Sequence, residues 1–301
     1  MTAAAPPLPS PPAPVFWQRA RRWAPVRIVC YLAALILVLV LFGRAAQALI
    51  PPPPSTLHAL LLPAKNLAMA AALLVVYALL VRILEHRHAR EIGLRRGGRQ
   101  FAAGLALGVG LMSLVYLVLW SLGAARFGGG TGWGGLEVGL VSALTAAVLE
   151  ELLLRAVLFR ILEEVGGTSA AVLLSALVFG ALHGANPDAT PFSMVAIAIE
   201  AGTLLALAFA LTRNLWLAIG IHAGWNFAEG NLFGAPVSGT PEMHSVLATV
   251  LTGPDLVTGG GFGPEASVVS IAVCLAAALV FSRLIRRQGH WRRAHFRLRL
   301  R

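Results

Sequence analysis

Apolar residues run in blocks of about 20 along this chain, the length a helix needs to cross a hydrocarbon layer about 30 Å thick. Eight such runs stand out, near 26–49, 57–83, 101–122, 136–162, 169–186, 191–211, 214–230 and 266–285. Their joints carry breakers and charge: Pro51 to Pro54, Arg82 to Arg99, the glycine-rich stretch Gly128 to Gly135, Asn186-Pro187-Asp188 and Thr212-Arg213-Asn214. The pattern predicts an all-α polytopic membrane helix bundle of about eight transmembrane helices.

Composition agrees, with 57% of the 301 residues hydrophobic and only 12% charged. A formal net charge of +11 raises nucleic acid as a partner. The arginines, however, gather in short segments between apolar runs and at both ends, which is the positive-inside pattern of membrane proteins, so no nucleic acid is expected. Alternate joints separate cleanly: Arg19 to Arg27, Arg82 to Arg99, Arg155 with Arg160, Arg213 and Arg283 to Arg301 fall on one side. That count predicts a multi-pass protein of the cell membrane with both termini cytoplasmic and the lipid bilayer as its surroundings.

The expected organisation is a disordered Pro/Arg-rich cytoplasmic tail over 1–25, N-terminal transmembrane helices over 26–122 and a helical core over 136–230. An extracytoplasmic loop over 231–265 and a last transmembrane helix with a basic tail over 266–301 complete it. Val26 to Ile50 is too long for the core of a secretory signal, about 7–15 residues, and reads as a retained first helix. The 231–265 loop holds no lysine or arginine and includes Gly259-Gly260-Gly261, so an exposed flexible segment is expected. Cys30 and Cys274 lie inside apolar runs without C-x-x-C spacing, which supports neither a disulfide framework nor a thiolate metal site.

Among the polar groups inside the apolar runs, seven are singled out: Glu150, Glu151, Arg155, His183, Glu200, His222 and Asn226. An ionisable side chain at a helix centre costs roughly 2.5–3.5 kcal/mol on insertion scales, so such groups face a polar interior and mark a pathway or a reactive site. Glu151 and Arg155, four apart, share a helix face and can pair; Glu150 is rotated by about 100° and left without that partner. His222 and Asn226 are one turn apart, and glycines at Gly180, Gly184, Gly220 and Gly224 flank the two histidines with the spacing of close helix contacts. Two chemistries suit a glutamate, two histidines and an asparagine. One is hydrolysis, with a carboxylate and an imidazole activating water while His222 and Asn226 bind an oxyanion. The other is a zinc site with Glu150, His183 and His222 as ligands, although the H-E-x-x-H signature is absent.

The ordered set Glu150-Glu151-x-x-x-Arg155, Phe179-x-x-x-His183 and His222-x-x-x-Asn226 resembles the CPBP family, the CAAX prenyl proteases and their bacterial relatives, also called the Abi family. The run Leu215 to Phe227 is similar to that family's last motif, and the likeness spans about 136–230. The resemblance implies an intramembrane endopeptidase acting on a membrane-associated peptide or protein, with Glu150 activating water, His183 assisting, and His222 and Asn226 binding the oxyanion. Glu151, Arg155 and Phe179 map to supporting positions. The family has been described both as metal-independent glutamate-type proteases and as metalloproteases. The first is preferred, with no cofactor, and Zn2+ is the alternative. The rival class is a non-proteolytic membrane protein: a proton-linked transporter using Glu150, Glu200 and His183, an immunity or scaffold protein, or a haem protein with His183 and His222 as axial ligands. Glu200 lies outside the three motifs and receives no role.

Overall fold

The computed structural model describes residues 23–52, 55–241 and 244–294. The expected tail over 1–25 therefore lies outside the described residues apart from its last three, and the basic tail is described only to Ala294. Pro25 opens α1 (Ala24–Leu49) in the first turn, where its missing N–H is not needed. Ser55 caps α2 (Thr56–Glu85) by accepting the His58 backbone N–H at 3.0 Å. Next come α3 (Gly97–Ser121) and α4 (Leu136–Glu151), the latter continuing through a π-helical stretch, Leu152–Phe159, into α5 (Arg160–Leu182). Gly167, at φ 72°, breaks that long rod, so the fourth and fifth apolar runs form two antiparallel arms.

The return runs through α6 (Pro191–Ile197), a π turn at Ala198–Gly202 and α7 (Thr203–Thr212). It continues through α8 (Leu215–Phe227), a further π turn at Ala228–Leu232, and finally α9 (Val268–Arg287). Among the described residues, six segments are long and apolar enough to cross a membrane, one of them the bent Leu136–Ala185 of 50 residues. The α8 segment does not qualify. The protein is a multi-pass, all-α membrane bundle, and α7 and α8 form its interior, sheathed by α3, α4 and α9.

Glycine sets the position of α8. On α3, added Cβ atoms at Gly104 and Gly108 would stand 2.4 Å from the Leu217 carbonyl oxygen and 2.1 Å from that of Ile221. From the other side, Gly220 and Gly224 would meet the carbonyls of Phe101 and Leu105, each at 2.4 Å. Both helices thus carry the four-residue small spacing, and their backbones touch where His222 sits.

The arginine-bearing end of the bundle is tied by ion pairs. Glu85, at the end of α2, receives Arg160 at 2.6 Å, Arg87 at 2.7 Å and the Tyr31 hydroxyl at 2.7 Å, which joins α1, α2 and α5. Arg87 also pairs with Glu91 at 2.7 Å, and the Tyr77 hydroxyl donates to the same carboxylate. Burial alone would push the Glu91 carboxyl up, but those hydrogen bonds outweigh it and hold the group below its usual 4.5.

The opposite end departs from expectation. The glycine-rich stretch and the 231–265 segment pair as an antiparallel ribbon, β1 (Ala125–Gly129) with β2 (Leu247–Leu251), in register Ala125 with Leu251 through Gly129 with Leu247. Phe233 stacks on Tyr116 of α3 at 3.9 Å and anchors the ribbon. Parts of the segment are not exposed: Asn231, Ala235, Phe262, Pro264 and Glu265 are buried, whereas residues 252–256 stand exposed. Local composition conceals this, because the burial comes from contacts with helices far away in sequence.

Substituting Gly108→Ala should lower stability in detergent by roughly 1–3 kcal/mol, since a methyl group must displace backbone. Gly110→Ala, with no atom within 4 Å of the added carbon, should not, and thermal unfolding of the pair checks this. Because the folded Glu91 pKa lies beneath its unfolded value, its contribution is complete above about 4.5 and is lost as pH falls through the folded value. Glu91→Gln should flatten that part of the acid-unfolding curve.

Candidate active site

Two adjacent glutamates at the end of α4 do different work because helix geometry turns them apart. Glu151 is fully buried and accepts the Arg155 guanidinium at 3.0 Å. Arg155, also at 0% side-chain exposure, donates its other amino group to the carbonyls of Ala201 and Gly202, each at 3.2 Å. Those carbonyls are available to a side chain because the π turn Ala198–Gly202 disturbs the regular i to i+4 ladder. A third partner completes the group: His222 Nδ1 donates to the same Glu151 oxygen at 3.0 Å. Sequence spacing accounts for Glu151 with Arg155, and the structure adds Glu151 as the acceptor that orients His222.

With Nδ1 committed, His222 presents Nε2, which stands 3.9 Å from Glu150 Oε2. Glu150 is not sealed in hydrocarbon as an unpaired acid in an apolar run would be; its side chain is 31% exposed and faces open space. Its Oε2 has no hydrogen-bond partner. His183 is half-buried at the end of α5, and its Nδ1 lies 2.8 Å from the Phe179 carbonyl. A carbonyl only accepts, so Nδ1 carries the proton and the neutral ring offers Nε2 as a base. The Phe179 ring separates the two imidazoles, 4.6 Å from His183 and 6.0 Å from His222, with the Arg155 guanidinium 4.6 Å from its centre.

Glu150, Phe179, His183, His222 and Asn226 line one cavity. Glu200, which the sequence leaves without a role, lines it too. So do Ser238, Glu265 and Cys274, three residues that sequence reasoning passes over. Glu265 gives no local signal, lying in a glycine-rich segment outside any apolar run. Its neighbour Glu229 does carry one, because it interrupts the seventh run as Glu200 interrupts the sixth. Burial pushes the Glu265 carboxyl above its usual value despite the hydrogen bond from Ser238. A second cavity adjoins the first between α1, α4 and α5; Leu32, Leu35, Leu39 and Leu153 wall it, and Glu150 and His183 border both.

The zinc alternative finds little support in the donor geometry. Among the described residues, no three histidine, cysteine, aspartate or glutamate side chains group so as to hold a metal ion. His222 turns one nitrogen to Glu151 and has Glu150 at 3.9 Å from the other.

Carboxylate, imidazole and carboxamide groups thus share one cavity inside a multi-pass membrane bundle. Residues 131–228 match the family model described as type II CAAX prenyl endopeptidase, Rce1-like, which supports the CPBP/CAAX protease family and a CAAX-protease-type endopeptidase. No curated protein and no solved structure matches the chain.

Removing one member of a buried pair leaves the other charge uncompensated, at about 3–5 kcal/mol. Arg155→Met should cost an amount of that order in detergent unfolding. Combining it with Glu151→Gln should recover part of the loss, and a cycle showing simple additivity would refute the pairing.

Proposed function

We propose that this protein is an intramembrane endopeptidase that hydrolyses a peptide bond with water activated by Glu150. The observation that carries the reading is the division of labour between neighbouring glutamates. Glu151 is fully buried with its Oε1 held by Arg155 and His222, while Glu150 is 31% exposed, lines the cavity and has its Oε2 3.9 Å from His222 Nε2 without a hydrogen-bond partner. A water molecule between Glu150 and His183 Nε2 loses a proton to the carboxylate as its oxygen adds to the carbonyl carbon. The resulting oxyanion accepts hydrogen bonds from the Asn226 amide and from the His222 imidazolium through Nε2–H. Glu151, hydrogen-bonded to Nδ1, compensates the imidazolium charge once Glu150 has taken up the proton. As the carbon–nitrogen bond breaks, protonated Glu150 returns the proton to the leaving amine, which balances the step.

The substrate is a membrane-embedded protein or peptide. The leucine-walled cavity between α1, α4 and α5 supplies an apolar approach from the bilayer to Glu150 and His183. The arginine-bearing end of the bundle, with both termini, is assigned to the cytoplasmic face of the cell membrane on the positive-inside rule. No cofactor takes part in this scheme.

Glu150→Gln should reduce cleavage of a membrane peptide reporter by about 10²–10⁴-fold while leaving the melting temperature in detergent unchanged, and full activity would remove the general base from the scheme. Asn226→Ala should lower kcat by roughly 10²–10³-fold, the loss of one oxyanion donor. Cleavage should persist in protein shown by elemental analysis to be free of transition metal; loss on metal removal and recovery with Zn2+ would reinstate the metalloprotease alternative.

A further inference from the structure

The cavity lining holds acidic residues besides Glu150, and the hydrolytic scheme does not use them. Glu200, from the π turn Ala198–Gly202, and Glu265, from the turn Pro264–Ala266, both line it, with Ser238 and Cys274 beside them. Among the described residues, the lining includes three carboxylates and neither lysine nor arginine. Arg155 cannot serve from behind the wall, being committed to Glu151 and to two backbone carbonyls.

Glu265 is held in place. The Ser238 hydroxyl donates to its Oε1 at 2.7 Å, and its own backbone N–H donates to Glu229 Oε1 at 3.0 Å. Glu200 is only half satisfied. Its Oε2 accepts the Cys274 thiol at 3.1 Å, but Oε1 has no hydrogen-bond partner although the residue is 1% exposed. Leaving a buried acceptor unmatched is costly, and more so for a charged one, so the site favours an occupant that donates hydrogen bonds and carries positive charge.

Resting on the endopeptidase reading of the Glu150 end, we propose that Glu200 and Glu265 form a subsite for a cationic side chain, so that the peptides cut carry lysine or arginine beside the scissile bond. Lining one cavity together with Glu150 and His222 imposes the adjacency. A carbonyl lodged beside Glu150 and His222 leaves a neighbouring side chain in the same cavity as Glu200 and Glu265. An ammonium or guanidinium group there supplies several donors and offsets the carboxylates, whereas an acidic side chain meets like charge.

The test uses full-length protein in detergent carrying Glu150→Gln, titrated with labelled peptides that differ only in lysine, norleucine or glutamate beside the central bond. The lysine peptide should bind at least about tenfold tighter than the norleucine peptide, the worth of one charged hydrogen bond, and the glutamate peptide weaker than both. Adding Glu200→Gln or Glu265→Gln should bring the lysine-to-norleucine ratio toward one, and Glu200→Lys should invert the order of lysine and glutamate. Equal affinity for lysine and norleucine peptides overturns the subsite, and this comparison needs no altered acid at the subsite to fold. A preference that survives both glutamine variants overturns it as well. Turnover is read separately in protein retaining Glu150. If no peptide is cut but the lysine preference in binding stands, the endopeptidase reading fails and the subsite remains; if all three are cut and bound alike, the reverse holds.

Discussion

A carboxylate at zero exposure in the middle of a membrane bundle is tolerable only if its charge is answered on the spot, and Glu151 is answered twice. Arg155 supplies the countercharge from one turn away on the same rod, and His222 supplies a hydrogen bond from another helix. The second contact converts a local charge pair into a tertiary restraint. It fixes which imidazole nitrogen faces the cavity, the rotation of α8 about its axis, and the separation between His222 and Glu150. The glycine contacts between α3 and α8 serve the same end, since they allow α8 to approach closely enough for the imidazole to reach its acceptor.

Irregular helix geometry clusters around the cavity. Three π-helical stretches, Leu152–Phe159, Ala198–Gly202 and Ala228–Leu232, follow Glu151, contain Glu200 and contain Glu229 respectively. A π turn shifts side-chain direction and loosens backbone carbonyls from their regular partners. In hydrocarbon such loosened groups must find other donors, and Arg155 provides them for Ala201 and Gly202. Backbone irregularity, the buried guanidinium and the polar cavity are therefore parts of one arrangement, each relieving a cost imposed by another.

The cavity has two electrostatic characters. Near Glu150 the acid is flanked by imidazoles and opens beside a leucine-walled space, conditions suited to water and an apolar substrate segment. At Glu200 and Glu265 acids predominate, and one carboxylate oxygen lacks a donor. A hydrophobic peptide with a basic residue meets both demands, and such segments are common where membrane-spanning stretches end at the positively charged face.

The sequence by itself determined the rods and the principal polar interruptions, because the cost of exposing polar groups to hydrocarbon is paid locally and so is written in runs and spacings. The pairing of Glu151 with Arg155 is legible for the same reason, four residues being one turn of helix. Tertiary structure alone decided what depends on distant partners: that Glu151 also holds His222, that Glu150 faces a cavity rather than lipid, and that the 231–265 segment folds back as a strand and a buried turn. Glu265 shows the difference most plainly. Nothing in its neighbours marks it, since the helices that bury it come from elsewhere in the chain, and burial by remote contact leaves no periodicity to read.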